Sequence, residues 1–134
     1  MASSSNDPHP AEKFLDAIEK GNYAELLNVY APTAVVWHNF DDREVSAQQN
    51  VADIQAIGEI LTSWRYSKKK RLDVPGGFVQ QHVATLELIG GETVVVPACI
   101  ICKTENGRIT RLEEYFDTGP LKIVFDRVAA KASG

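Results

Sequence analysis

The sequence has little cysteine, one methionine and no long apolar run. Only Cys99 and Cys102 occur, too few for a disulfide framework. Their Cys-x-x-Cys spacing is formally that of a redox or metal pair. They lie inside the apolar stretch VVVPACIICKT, where strand residues three apart point to opposite faces. No second cysteine pair or nearby histidine accompanies them, so they read as two reduced core cysteines. No segment approaches the ~20 apolar residues of a membrane helix, and no membrane partner is expected. The start, MASSSNDPHP, lacks the basic and apolar regions of a secretory signal. Residues 1–9 are therefore expected to be a disordered tail, and the cytoplasm is the expected compartment. Positive charge is not in excess: 14 Lys and Arg against 18 Asp and Glu leave a net charge of −4, which argues against a nucleic-acid partner. The one basic run, Lys68-Lys69-Lys70-Arg71, reads as a solvated face or a blunted sheet edge. None of the glycine-rich stretches has the order of a phosphate loop or a dinucleotide fingerprint. Gly-x-Ser-x-Gly and metal-spaced histidines are missing too, so no cofactor and no metal are expected.

What is present is enough for one core: 134 residues, 44% of them apolar, make a single domain, expected over residues 10–130. A first helix is expected over Pro10–Lys20, with proline in its first turn and Gly21 stopping it. Phe14, Leu15, Ala17 and Ile18 form its apolar stripe. A second helix starts at Asn22, with Glu25 three residues on, and stops before Pro32. A short strand spans Thr33–Asn39. Ser46 and Gln49 start a third helix carrying Val51, Ile54, Ile57 and Leu61. Four long strands follow, about 63–74, 78–89, 92–104 and 108–117. Gly90-Gly91 and Asn106-Gly107 are hairpin turns. A last amphipathic helix begins near Pro120 with Leu121, Val124, Phe125 and Val128. Helices first and an antiparallel meander second describe an α+β domain whose curved sheet encloses a pocket.

The segment VVWHNF places an ionisable side chain, His38, in a strand beside the acidic turn Asp41-Asp42-Arg43. Alternation sorts the strand faces. Ala34, Val36 and His38 share one face; Phe78, Gln80, His82, Ala84, Leu86 and Leu88 share another, apolar at its far end. In the last strand, Leu112, Glu114 and Phe116 lie together, so a carboxylate sits in the middle of an apolar face. A buried carboxylate requires a partner, and a histidine supplies one. His38, His82 and Glu114 are therefore candidates for one cavity and for acid–base work. A structural polar network of the same three residues is the alternative. Asp53 is read as a solvated or pocket-lip residue, and Trp37 and Trp64 as core or interface packing. Alternation does not choose an inner face for 92–104, because both faces are apolar.

The order AIEKGNYAELLNVYAPTAVVWH, a capped helix, and long strands ending GRITRLEEYFD resembles the NTF2-like superfamily, in its SnoaL-like and ketosteroid-isomerase-like branch. That resemblance covers about Glu12 to Lys122 and implies an NTF2-like cone: a curved antiparallel sheet wrapped around N-terminal helices. His38 stands where ketosteroid isomerases keep an aspartate base at the end of the first strand. Phe14 stands in place of their oxyanion-binding tyrosine, and Cys99 in place of their neutral aspartic acid. Phenylalanine cannot donate a hydrogen bond and cysteine donates weakly, so that mechanism is not expected. Glu114, in EEYFD, resembles the cavity-facing acid of limonene-epoxide-hydrolase relatives. The resemblance thus implies a cofactor-independent isomerase, cyclase or dehydratase acting by proton transfer on an apolar, oxygenated small molecule. His38 would be the base, Glu114 its orienting group or the acid, and His82 a second donor. Substrate contacts are expected from Ile18, Trp64, Leu86, Leu112 and Phe116, and from Phe14, Cys99 and Ile101. Two rivals stand beside it: a non-catalytic binding or dimerisation module, and an epoxide hydrolase with water held by Glu114 and an amide such as Asn39. A homodimer through the outer sheet face is also implied.

Overall fold

A computed structural model describes residues 7–134. Of the expected tail, residues 1–6 lie outside the described residues. His9 does not trail free: its Nδ1 accepts the Ala11 N–H at 3.0 Å and caps the first helix. Helix α1 spans Pro10–Lys20 and ends in a left-handed Gly21 (φ 66°), whose N–H and that of Asn22 close the last turn on Ile18 and Ala17. Helix α2 (Tyr23–Val29) is capped by the Asn22 side chain on the Glu25 N–H.

Six strands follow in one sheet: β1 Tyr30–His38, β2 Arg43–Ser46, β3 Leu61–Val74, β4 Gly77–Leu88, β5 Thr93–Glu105 and β6 Arg108–Phe116. Helix α3 (Ala47–Gly58), capped by Ser46 Oγ on the Gln49 N–H, separates β2 from β3, and α4 (Lys122–Ser133) closes the chain. Spatial order is β2-β1-β6-β5-β4-β3. All pairings are antiparallel except β1 with β6, which run parallel. The expected α+β class, four helices and a curved, unclosed sheet, is what the chain adopts.

Three local expectations are corrected. Tyr30, Ala31 and Pro32 belong to β1 and not to α2 or a loop. Leu61 opens β3 after α3 has ended at Gly58. The short edge strand β2 was not expected, because four residues following a turn carry no periodicity of their own. The basic run does lie on an edge strand, β3, where exposed lysines deter pairing with other chains.

The core has two lobes. One joins α1, α2, β1 and the ends of β4–β6 around Leu15, Leu26, Tyr30, Val36 and Leu112. The other joins β4, β5 and α4 around Leu86, Leu88, Val96 and Val124. Trp64 and Tyr66 of β3 pack against both. Helix α4 is pinned by Arg127, which donates to both Glu92 carboxylate oxygens and, at 3.1 Å, to the Ile89 carbonyl. Those guanidinium hydrogen bonds hold the Glu92 carboxyl down at about 2.

Candidate active site

Between the sheet, α3 and α4 lies a cavity of about 410 Å³. Its walls are mostly apolar: Ile18 from α1, Ile54 and Ile57 from α3, Trp64, Leu86, Val96, Leu112 and Phe116 from the sheet, and Leu121, Phe125 and Val128 at the C-terminal end. A few polar groups interrupt them, which is the composition of a small-molecule site.

His38, His82 and Glu114 all line this cavity. The parallel β1–β6 register places His38 beside Glu114, and His38 Nε2 lies 3.3 Å from Glu114 Oε1. Asn39 locks that register: its backbone N–H donates to the Glu114 carbonyl, and its side chain bonds both the N–H and the carbonyl of Phe116. The Asn39 amide is thereby used up structurally and does not line the cavity, so it cannot hold a water with Glu114 as expected. The ring of His38 also lies tilted against Phe40 and edge to face with Phe116, with centroids 5.5 and 6.0 Å away.

His82 is 3% exposed. Burial pushes its pKa down, Glu114 opposes the shift and Lys69 adds to it, so the ring is neutral at pH 7. Its Nδ1 is 3.5 Å from Gln80 Nε2. With that amide as donor, Nδ1 is bare and the proton sits on Nε2. The Tyr66 ring meets His82 edge to face, with centroids 5.0 Å apart.

Of the expected contact residues, Ile18, Trp64, Leu86, Leu112 and Phe116 line the cavity. Three do not. Phe14 packs edge to face on Tyr30 within the helical lobe and is 5% exposed. Cys99 and Ile101 point to the other side of the sheet, where Ile101 is 41% exposed. Pairing supplies the reason: Ala98 sits opposite both His82 and Phe116, and Ile100 opposite Gln80 and Glu114. Directly paired residues share a face, so the even-numbered residues of β5 turn inward. Cys99 therefore does not occupy an oxyanion-donor position, and Ala98 meets the cavity instead.

Several lining residues were not anticipated. Tyr66 shares the phase of Trp64 on β3 and was legible by alternation alone. Asn50, buried on α3, accepts the Tyr30 hydroxyl at 2.8 Å. Arg43 and Asp41 stand at the cavity rim beside Asp53, the expected solvated or pocket-lip residue; the Arg43 position depends on β2, which had no sequence signal. Among the described residues no three His, Cys, Asp or Glu side chains cluster as a metal site. No helix of the described residues is long and apolar enough to cross a membrane.

A bent sheet and a helical cover around an apolar cavity with a few inward polar groups define an NTF2-like cone. Residues 11–112 match the sequence profile of the SnoaL-like domain, and the chain belongs to that family. No curated protein matches it. Solved structures share the fold at low identity. PrhC from Penicillium brasilianum superposes with a TM-score of 0.79 at 16% identity, over 92% of this chain and 87% of that one. A candidate SnoaL-like polyketide cyclase from Shewanella denitrificans gives 0.73 at 14%, over 88% and 95%. An epoxide hydrolase of M. tuberculosis, like the limonene-epoxide enzymes, gives 0.70 at 15%, over 92% of each chain.

Proposed function

We propose that the protein is a cofactor-independent acid–base enzyme of the isomerase, cyclase or dehydratase type. Its substrate is a mostly apolar, oxygenated small molecule such as a polyketide, terpenoid or steroid-like compound. The observation that carries this reading is the His38–Glu114 pair, 3.3 Å apart, on the wall of the same apolar cavity as a neutral His82. With Nε2–H turned to Glu114, the bare His38 Nδ1 takes a proton from carbon next to a carbonyl. Glu114 then faces the positive charge that appears on the ring. The Nε2–H of His82 donates to the carbonyl oxygen on which negative charge builds. Returning the proton to another carbon gives isomerisation; delivering it to a departing hydroxyl gives dehydration.

The rim points to the charge of the substrate. Three carboxylates, Asp41, Asp53 and Glu114, line the cavity against one guanidinium, Arg43, which favours a neutral ligand over an anion.

The test is turnover of enones, hydroxy-ketones and epoxides by the wild type and by His38→Ala. A positioned base contributes ~10²–10⁴-fold, and the variant is expected to lose that much while its melting curve stays cooperative. Unchanged turnover in His38→Ala overturns the assignment. Solvent oxygen in the product would instead mark hydrolysis of an epoxide. Saturable binding of these compounds with no turnover by the wild type would favour a binding module.

A further inference from the structure

We propose that the Tyr66 hydroxyl is the oxygen-recognition donor of this cavity, selecting ligands that present a carbonyl or enol oxygen to the β3–β4 wall. The inference rests on the cavity being a ligand site but not on the proton-transfer chemistry. Tyr66 lines the cavity, and its hydroxyl makes no hydrogen bond among the described residues. Tyr30, the other deeply buried phenol, is already engaged with Asn50. The Tyr66 ring keeps partial exposure because the cavity itself supplies that surface; its oxygen lies deep in the protein. Burial, followed by the charge of Glu114, pushes the phenol well above its ordinary value, so it stays a protonated donor at physiological pH.

The side chain is also held in place. Its backbone N–H donates to Glu19 of α1 at 2.7 Å, and its ring edges onto His82. The indole N–H of Trp64 lies near the Tyr66 phenol but falls short of hydrogen-bond geometry, and it has no other partner. A donor on that side leaves the phenol proton free to point at a ligand. Immediately beyond Tyr66, the pairing slips between Ser67–Val83 and Lys70–Gln81, with Lys68 left-handed at φ 52°. This bulge lies opposite His82, and neither Lys68 nor Lys69 lines the cavity beside Tyr66 and His82. Bulges with a strained residue recur next to functional sites.

The test compares 2-naphthol with 2-methylnaphthalene, which lacks the oxygen, by titration calorimetry at neutral pH. The wild type is expected to prefer 2-naphthol roughly tenfold, the scale of one net hydrogen bond. Tyr66→Phe keeps the ring and its packing; it should bring the ratio to about one while binding 2-methylnaphthalene as before. A wild type that turns over none of the tested compounds but shows the preference, and loses it in Tyr66→Phe, leaves this result standing while the acid–base assignment fails. A ratio that survives in Tyr66→Phe overturns the proposal, as does a wild type without preference or without measurable affinity for 2-naphthol.

Discussion

The histidines of this chain do different work because their surroundings differ. His9 sits at a helix start and reaches Asp73 at 2.9 Å, tying the first turn of α1 to the end of β3. His38 is partly exposed and faces a carboxylate. His82 is buried on the cavity wall beside Gln80 and Tyr66, and burial lowers its pKa. An unfolded chain takes up a proton at His82 below about pH 6.5, which the folded chain resists. The stabilisation from keeping His82 neutral is therefore complete above the unfolded pKa and is lost as pH falls through the folded one. Urea unfolding at about pH 7.5 and about pH 5 should show the wild type losing more stability than His82→Gln across that interval. Equal losses would mean that His82 is not the group whose proton uptake the fold opposes. Sequence alternation was enough to turn His38, His82 and Glu114 inward. It could not say that His38 and Glu114 would be neighbours, since β1 and β6 are more than seventy residues apart and meet only through a parallel pairing.

At the scale of elements, the hairpins and caps carry the architecture. Gly21, Asn22 and Ser46 end or begin helices as their side chains or backbone freedom dictate. Gly77 has a different reason to be glycine. It opens β4 opposite Lys103, and a Cβ there would lie 1.9 Å from the Cys102 carbonyl oxygen. Because that neighbour is backbone, the strand must shift, and the β4–β5 register that turns His82 and Ala98 inward shifts with it. Gly77→Ala is expected to destabilise the fold by about 2–4 kcal/mol, read from denaturant midpoints. A loss below about 0.5 kcal/mol would show that the strand end relaxes freely. Strand β5 was the least legible element, because Val94 and Val95, or Ile100 and Ile101, are equally apolar on its two faces. Its amphipathic neighbours β4 and β6 settle the choice through register.

For the molecule as a whole, the sheet has one face buried under helices and the cavity, while the other keeps exposed apolar groups. Leu72, Val79 and Ile101 form a continuous row across β3, β4 and β5 on that outer face, with Leu72 71% exposed. Tyr115 and Val95 lie on the same side, Tyr115 directly opposite Cys99. We propose a second copy of the chain as the occupant, as the family resemblance implies, with the Arg111, Glu113 and Glu44 charges beside the row offering both signs for a two-fold contact. Sedimentation should then give a dimer for the wild type and a monomer for Ile101→Glu, with cavity binding of 2-naphthol retained. A monomeric wild type at tens of micromolar, above the roughly μM-to-pM affinities of standard-size interfaces, would refute the pairing.

The α+β class, the long strands, the helix caps and the inward phase of the three ionisable residues followed from the sequence alone. They depend on local rules: the period of apolar residues, capping side chains and glycine turns. The tertiary structure decided what local rules cannot reach. It set Cys99 and Ile101 outward, spent Asn39 on the β6 backbone, and brought Arg43 to the rim through an unforeseen strand. Each of those outcomes is fixed by register between strands distant in the chain, where one residue of slip moves a side chain to the opposite face.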